Sequence, residues 1–204
     1  MTAQGFDGLL FQDNTVVVDV PGWKDMYSGE NRGMFQTSSD RGPIKNLVIW
    51  HNSLLYLGPE GYGKANDLHA GMWLGASPWS KIIMPISNLT VEDNTIINST
   101  GAGIVLRTTV TDAKISGNKI INPGKATAGL SEKYASGIYL GGIMKNVICE
   151  NNTLIDDQEV NTMKTGIWEE TDNMGGCSAS NNNLAIKNVA KAIPFRLNPG
   201  QTDI

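Results

Sequence analysis

Gly137-Ile138-Tyr139-Leu140, with Asn152 fifteen residues after the glycine inside Val147-x-Cys149-x-x-Asn152-x-Leu154, is the clearest copy of a phrase that recurs along the chain. Its first half returns as Gly33-Met34-Phe35-Gln36, Gly71-Met72-Trp73-Leu74, Gly103-Ile104-Val105-Leu106 and Gly166-Ile167-Trp168-Glu169, with Ala192-Ile193-Pro194-Phe195 as a degraded copy. Its second half, apolar-x-apolar-x-x-Asn-x-apolar, places Asn at 14, 52, 94, 118, 152 and 182. Period-two alternation on both sides of each Asn predicts strands, because successive side chains point to opposite faces. Two phrases keeping one order through six copies predict a solenoid whose shortest turn is the 24 residues between Asn94 and Asn118. An Asn amide both donates and accepts, so stacked copies can bond one another without leaving a buried polar group unpaired.

Composition bounds the function. The chain has 204 residues, one domain by length, and a net charge of −4 with no run of Lys or Arg. That balance argues against a nucleic-acid or anionic-membrane partner, and no stretch of eighteen apolar residues spans a membrane. The first residues lack the charged and apolar regions of a signal peptide. Cys149 and Cys177 fall at inward positions of neighbouring coils, one rung and two residues apart. That diagonal is roughly 8 Å, beyond the ~7 Å reach of a disulfide, so both are expected as buried free thiols.

Three short strands per coil follow from the repeat: the Gly phrase, the pair before the Asn, and the pair after it. Insertions gather before the Gly strand, at 20–32, 58–70, 124–136 and 156–165. A second set leaves its other end, at 37–44 and 75–87. Two loop rows flanking one strand face make a groove, and variable loops on a rigid scaffold are where function usually sits. Few residues precede the first coil or follow the last. A solenoid end left open would expose strand edges, so the expectation is one β-helix domain, 1–204, that is a segment of a longer chain or is capped by partners.

Three strands per coil, an Asn ladder between the second and third, and long loops before the first resemble the right-handed parallel β-helix superfamily, which includes pectin-lyase-like enzymes and bacteriophage tailspikes. The resemblance covers nearly the whole chain. It implies an all-β, right-handed parallel β-helix of about six coils, with a polysaccharide lying along the first strand. For phage members it further implies a homotrimer on a virion tail or in the extracellular space. The expected function is binding, and depolymerisation, of a cell-surface or extracellular polysaccharide by glycoside hydrolysis. A polysaccharide lyase or epimerase and a ligand-free structural shaft are the alternatives. No cofactor or metal is implied, and the paired Asp and His-Gly phrases of polygalacturonases are missing from the first strand.

The candidate residues follow from the expected outward rows. Phe35, Trp73, Val105, Tyr139, Trp168 and Pro194 are expected in one row, whose aromatics Phe35, Trp73, Tyr139 and Trp168 would stack on sugar faces. Burial in a subunit interface is the alternative. The next row reads Thr37, Gly75, Arg107, Gly141, Glu170 and Arg196, with Arg107 and Arg196 as substrate contacts and Arg196 beside Glu170. Glu169 takes an inward slot held elsewhere by Leu74, Leu106 and Leu140, where burial would raise its pKa and suit it to general acid work. Glu169, Glu170 and Asp172 together supply the carboxylates a glycosidase needs; the bland alternative is a strand that ends after Trp168, leaving them in water. Asp67 and His69, one residue apart, are the candidate base and orienter of a lyase. Asp13, His51 and Asp93 each precede a ladder Asn and are expected to stack as turn residues.

Overall fold

The computed structural model describes residues 2–19, 33–57, 70–76, 80, 84–125, 132–170, 174–187 and 193–196. They form three parallel sheets. The first runs through Thr2–Gln4, Gly33–Ser38, Ala70–Gly75, Ile104–Arg107, Ser136–Gly141, Thr165–Glu170 and Ile193–Arg196. The second runs through Phe6–Gln12, Ile44–Trp50, Ile86–Glu92, Val110–Ser116 and Met144–Glu150, then Met174–Gly175 and Ser178–Ser180. The third holds Thr15–Val18, Ser53–Tyr56, Thr95–Ile97, Lys119–Ile121, Thr153–Asp156 and Asn183–Ile186. Each strand pairs with its counterpart one repeat away, which is consistent with a parallel β-helix. Among the described residues the only helical segment is a single 3₁₀ turn, Glu132–Tyr134, and no helix is long and apolar enough to cross a membrane.

The interior is built from the alternating residues the repeat marks. Leu47, Leu89, Ala113 and Val147 align in the second sheet, and Leu54, Ile96, Ile120 and Leu154 in the third. All eight are buried. Burial is one-sided: in the second sheet Lys45 and Trp50 on the other face are exposed, so the alternation turns the apolar column inward. Gly103 shows how the sheets close on one another. A Cβ there would stand 2.5 Å from Ile120 Cγ2 and 2.7 Å from the Gly137 carbonyl oxygen, one of them immovable backbone. Gly103→Ala is therefore expected to cost about 1–3 kcal/mol by overpacking, read as a lower urea midpoint at unchanged slope; an unchanged midpoint would contradict this packing.

The ladder is continuous. Each Asn Nδ2 donates to the next Oδ1: Asn14 to Asn52 at 3.0 Å, Asn52 to Asn94 at 2.9 Å, Asn94 to Asn118 at 3.0 Å, Asn118 to Asn152 at 3.0 Å and Asn152 to Asn182 at 2.9 Å. The residue before each ladder Asn has positive φ: Asp13, His51, Asp93, Gly117, Asn151 and Asn181. A second left-handed position precedes every ladder Asn by six residues, at Gly8, Asn46, Asn88, Asp112, Asn146 and Gly176. These are the residue types that tolerate this backbone. Their side chains link in places, Asn88 Nδ2 donating to Asn46 Oδ1 at 2.7 Å and Asn146 Nδ2 to Asp112 Oδ1 at 2.9 Å. The constant offset is legible in the sequence.

Register corrects three expectations. Over the middle coils Trp73, Val105, Tyr139 and Trp168 do share a row, as do Gly75, Arg107, Gly141 and Glu170. In the earlier coil Gly33 pairs with Ala70, not Gly71, so Phe35 aligns with Met72 and Thr37 with Leu74. A one-residue slip exchanges faces. Phe35 is thus an interior residue, wholly buried and stacked on Phe11 with ring centroids 4.5 Å apart, and Gln36 takes the row of Trp73. At the far end Ile167 pairs with Phe195 and Trp168 with Arg196, so Arg196 lies on the rung of Trp168 and not beside Glu170. Finally, the strand does not stop after Trp168 but continues to Glu170. Both cysteines are free, although only Cys149 is buried and Cys177 is half-buried.

Candidate functional site

Trp73 and Tyr139 keep to the side of the first sheet away from the main core, yet neither has accessible surface. They form a small second cluster with Ala70, Ala102 and Val105, against which Tyr134 and Trp168 pack. The open stacking platform expected of Trp73 and Tyr139 is therefore replaced by a second core laid over the sheet. Trp73 closes its own polar requirement by donating Nε1 to the Ala76 carbonyl at 3.3 Å. Trp168 is half-buried at the margin of this cluster.

The margin is where charge gathers. Gly141 shares a rung with Glu170, and a side chain at Gly141 would collide with the Tyr139 hydroxyl. The missing Cβ lets the Tyr139 phenol reach across and donate a hydrogen bond to Glu170 Oε2. Lys133, delivered by the 3₁₀ turn, donates Nζ to Glu170 Oε1 at 2.7 Å. The same ammonium lies 5.1 Å from the Tyr134 ring centroid and 5.8 Å from that of Tyr139. The two rings meet edge to face at 5.2 Å. Arg107, two rungs from Glu170 across Gly141, is half-buried and adds its charge to the group.

These contacts set protonation. Burial pushes the Glu170 carboxyl up, but the hydrogen bonds from Lys133 and Tyr139 and the charges of Lys133 and Arg107 outweigh it and hold it below the usual carboxylate range. The Tyr139 phenol is pushed up, first by burial and then by Glu170, and keeps its proton. An ionised carboxylate and a protonated phenol thus share one hydrogen bond beside two cations. Such a pair, with its two cations, can bind hydroxyl or anionic groups. Glu170 and Lys133 remain partly open, with side-chain exposures of 40% and 29%.

Glu169 faces the other way. It pairs with Leu140 and is 4% exposed inside the coil, and burial raises its carboxyl above the ordinary range. Its inward placement separates it from the outer face where Glu170 lies, so the two acids of this strand do not converge as a catalytic pair. Asp67, His69 and Asp172 lie outside the described residues, as does most of the insert at 58–70. Among the described residues no three His, Cys, Asp or Glu side chains gather to hold a metal ion. The Lys133 and Tyr134 contribution escapes sequence reasoning because Lys133 is 37 residues from Glu170 and sits in an insert whose length and composition vary between coils.

The third feature, the turn row, forms as expected: Asp13 and His51 stack and bond, Oδ1 to Nδ1 at 2.6 Å, while Asp93 accepts Trp50 Nε1 at 3.2 Å. Compared with known proteins, the chain matches no family model, no curated protein and no solved structure.

Proposed function

We propose that this chain is a polysaccharide-recognising β-helix whose ligand lies on the outer face of the first sheet, over Arg107, Lys133, Trp168 and Glu170. In this reading the coil is right-handed, of about six turns, and tailspike-like, acting as a homotrimer on a virion tail or in an extracellular setting. The observation that carries the proposal is the Tyr139–Glu170–Lys133 network, partly open to solvent and bordered by an aromatic margin. Structural ion pairs at a surface contribute little, about 0–1 kcal/mol, so an elaborated network on one solvent-facing patch is better accounted for by a ligand. Its cations and carboxylate suit a sugar bearing hydroxyl and acidic groups, and Trp168 supplies an apolar edge for a ring face. Depolymerisation, on this reading, places the scissile bond over Glu170, which takes a proton from the attacking water as the water oxygen bonds to the anomeric carbon and hands it to the glycosidic oxygen that leaves; Tyr139 holds the carboxylate in place.

The test is binding of a panel of capsular and exopolysaccharides, followed by measurement of reducing ends and ultraviolet absorbance. Glu170→Gln and Lys133→Ala are expected to weaken binding at least tenfold, with thermal unfolding nearly unchanged. Gly141→Ala is expected to weaken binding as well, by displacing the Tyr139 hydroxyl from Glu170, and also to lower stability, because the added Cβ would meet the buried Tyr139 ring. Wild-type affinity in all three variants would sink the proposal.

A further inference from the structure

The turn between the second and third sheets carries a cleft of about 240 Å³, lined by Asp13, Thr15, His51, Ser53, Asp93 and Thr95 together with the ladder residues Asn14 and Asn52. We infer that this cleft is a second saccharide site, distinct from the first-sheet face, that takes a neutral, hydroxyl-rich sugar.

Three features argue for it. The lining alternates fixed acceptors with hydroxyls. Thr15, Ser53 and Thr95 open successive third-sheet strands in one aligned row, spaced about 4.8 Å apart by the parallel ladder. Asp13, His51 and Asp93 form the neighbouring row, each held at a left-handed φ of 52° to 56°. Carboxylates accept from sugar hydroxyls and Ser or Thr hydroxyls both donate and accept, so two parallel rows offer complementary partners to a polyol.

The polar groups are also held in place. Gln12 Nε2 donates to Asp13 Oδ2 at 2.6 Å while Asp13 Oδ1 holds His51 Nδ1. Trp50 Nε1 fixes Asp93. With Nδ1 engaged, His51 presents Nε2 outward from a side chain that is 67% exposed. Trp50 lies against the His51 ring at 5.7 Å between centroids and is itself 39% exposed, which sets an indole beside the cleft.

Charge selects the ligand. Asp13 and Asp93 line the cleft, and its lining contains no Lys or Arg. An anionic sugar is repelled here, whereas the first-sheet site carries Lys133 and Arg107. The two sites are therefore expected to differ in the sugars they take.

The experiment follows the His51 imidazole and Trp50 indole resonances by NMR while neutral glucose-, galactose- and mannose-based hexasaccharides are added separately, up to 20 mM. Selective shifts of both resonances with at least one hexasaccharide are expected. His51→Asn, read at the Trp50 indole alone, and Asp93→Asn keep residue types that tolerate the left-handed backbone and are expected to weaken that response at least fivefold. Glu170→Gln is expected to leave it unchanged, which separates this site from the first-sheet proposal. No shift with any of the three sugars, shifts confined to Trp168, or an unaltered response in His51→Asn would overturn the inference.

Discussion

Asn118→Ala is expected to lower the unfolding free energy by about 3–5 kcal/mol, among the largest losses a single substitution produces. Asn118 is wholly buried in the middle of the ladder. Its Nδ2 donates to the Val91 carbonyl at 2.8 Å and to Asn152 Oδ1 at 3.0 Å. Its Oδ1 accepts from the Asn94 backbone N–H at 3.1 Å and from Asn94 Nδ2 at 3.0 Å. Alanine removes all four bonds. A hydrogen bond exchanged for water is worth only about 0.5–1.5 kcal/mol, but a buried group left unpaired costs about 1–3. The Val91 carbonyl and the Asn94 N–H would lose these partners where water cannot easily replace them.

Two comparisons make the claim sharp. Asn14, at one end of the ladder, is only partly buried and, among the described residues, accepts from no further Asn, so Asn14→Ala is expected to cost about 1 kcal/mol. Asn118→Asp keeps the acceptor for Asn94 but loses both donations and sets two oxygens against each other at Asn152. It should be no better than alanine at neutral pH. Urea unfolding of the three variants measures the gradient. Equal costs for Asn14→Ala and Asn118→Ala, or a cost below about 1 kcal/mol for the buried position, would show that the ladder is not a cooperative polar spine.

The same chemistry explains what the sequence discloses. The ladder is legible because one side chain alone meets the need for a donor and an acceptor on every rung, so Asn returns at six positions. Register over the middle coils is legible because the Gly-Ile-x-Leu phrase stands intact at 103–106 and 137–140, setting Ile and Leu two residues apart on one face. At Gly33-Met34-Phe35-Gln36 two adjacent apolar residues compete for the interior. Packing against Phe11 decides for Phe35, a contact between different sheets that no local pattern carries. At the far end Ile193 and Phe195 pair with Thr165 and Ile167, shifting Arg196 by one pair of residues. The site is less legible still. Its outward row is visible, but Tyr139 becomes buried and Lys133 meets Glu170 only through a loop whose fold the repeat does not constrain. Gly141 holds the one local clue, a glycine on the rung where Tyr139 must cross.

Glu169→Leu is expected to stabilise the protein by about 1–3 kcal/mol at neutral pH. The wild-type carboxyl occupies the slot of Leu74, Leu106 and Leu140, and its Oε2 lacks a hydrogen-bond partner among the described residues. Leucine replaces an unpaired acid with the residue the column already uses. The gain should depend on pH with a definite sign. Burial raises the folded-state pKa of Glu169 above its ordinary 4.5, so between those two values the folded chain holds a proton that the unfolded chain has released. Raising the pH through that window therefore destabilises the wild type, and the penalty levels off above the folded pKa. Below 4.5 both states are protonated and the ionisation term vanishes. The gap between Glu169→Leu and wild type should accordingly be small at pH 4 and widen towards pH 8. Glu169→Gln should lose the pH-dependent part while keeping a buried polar group, and so gain less. Because the side chain faces the interior, saccharide binding on the outer face should survive the leucine. A gap that ignores pH, or a leucine variant less stable than wild type at pH 8, would mean that Glu169 has a buried partner that makes its charge favourable.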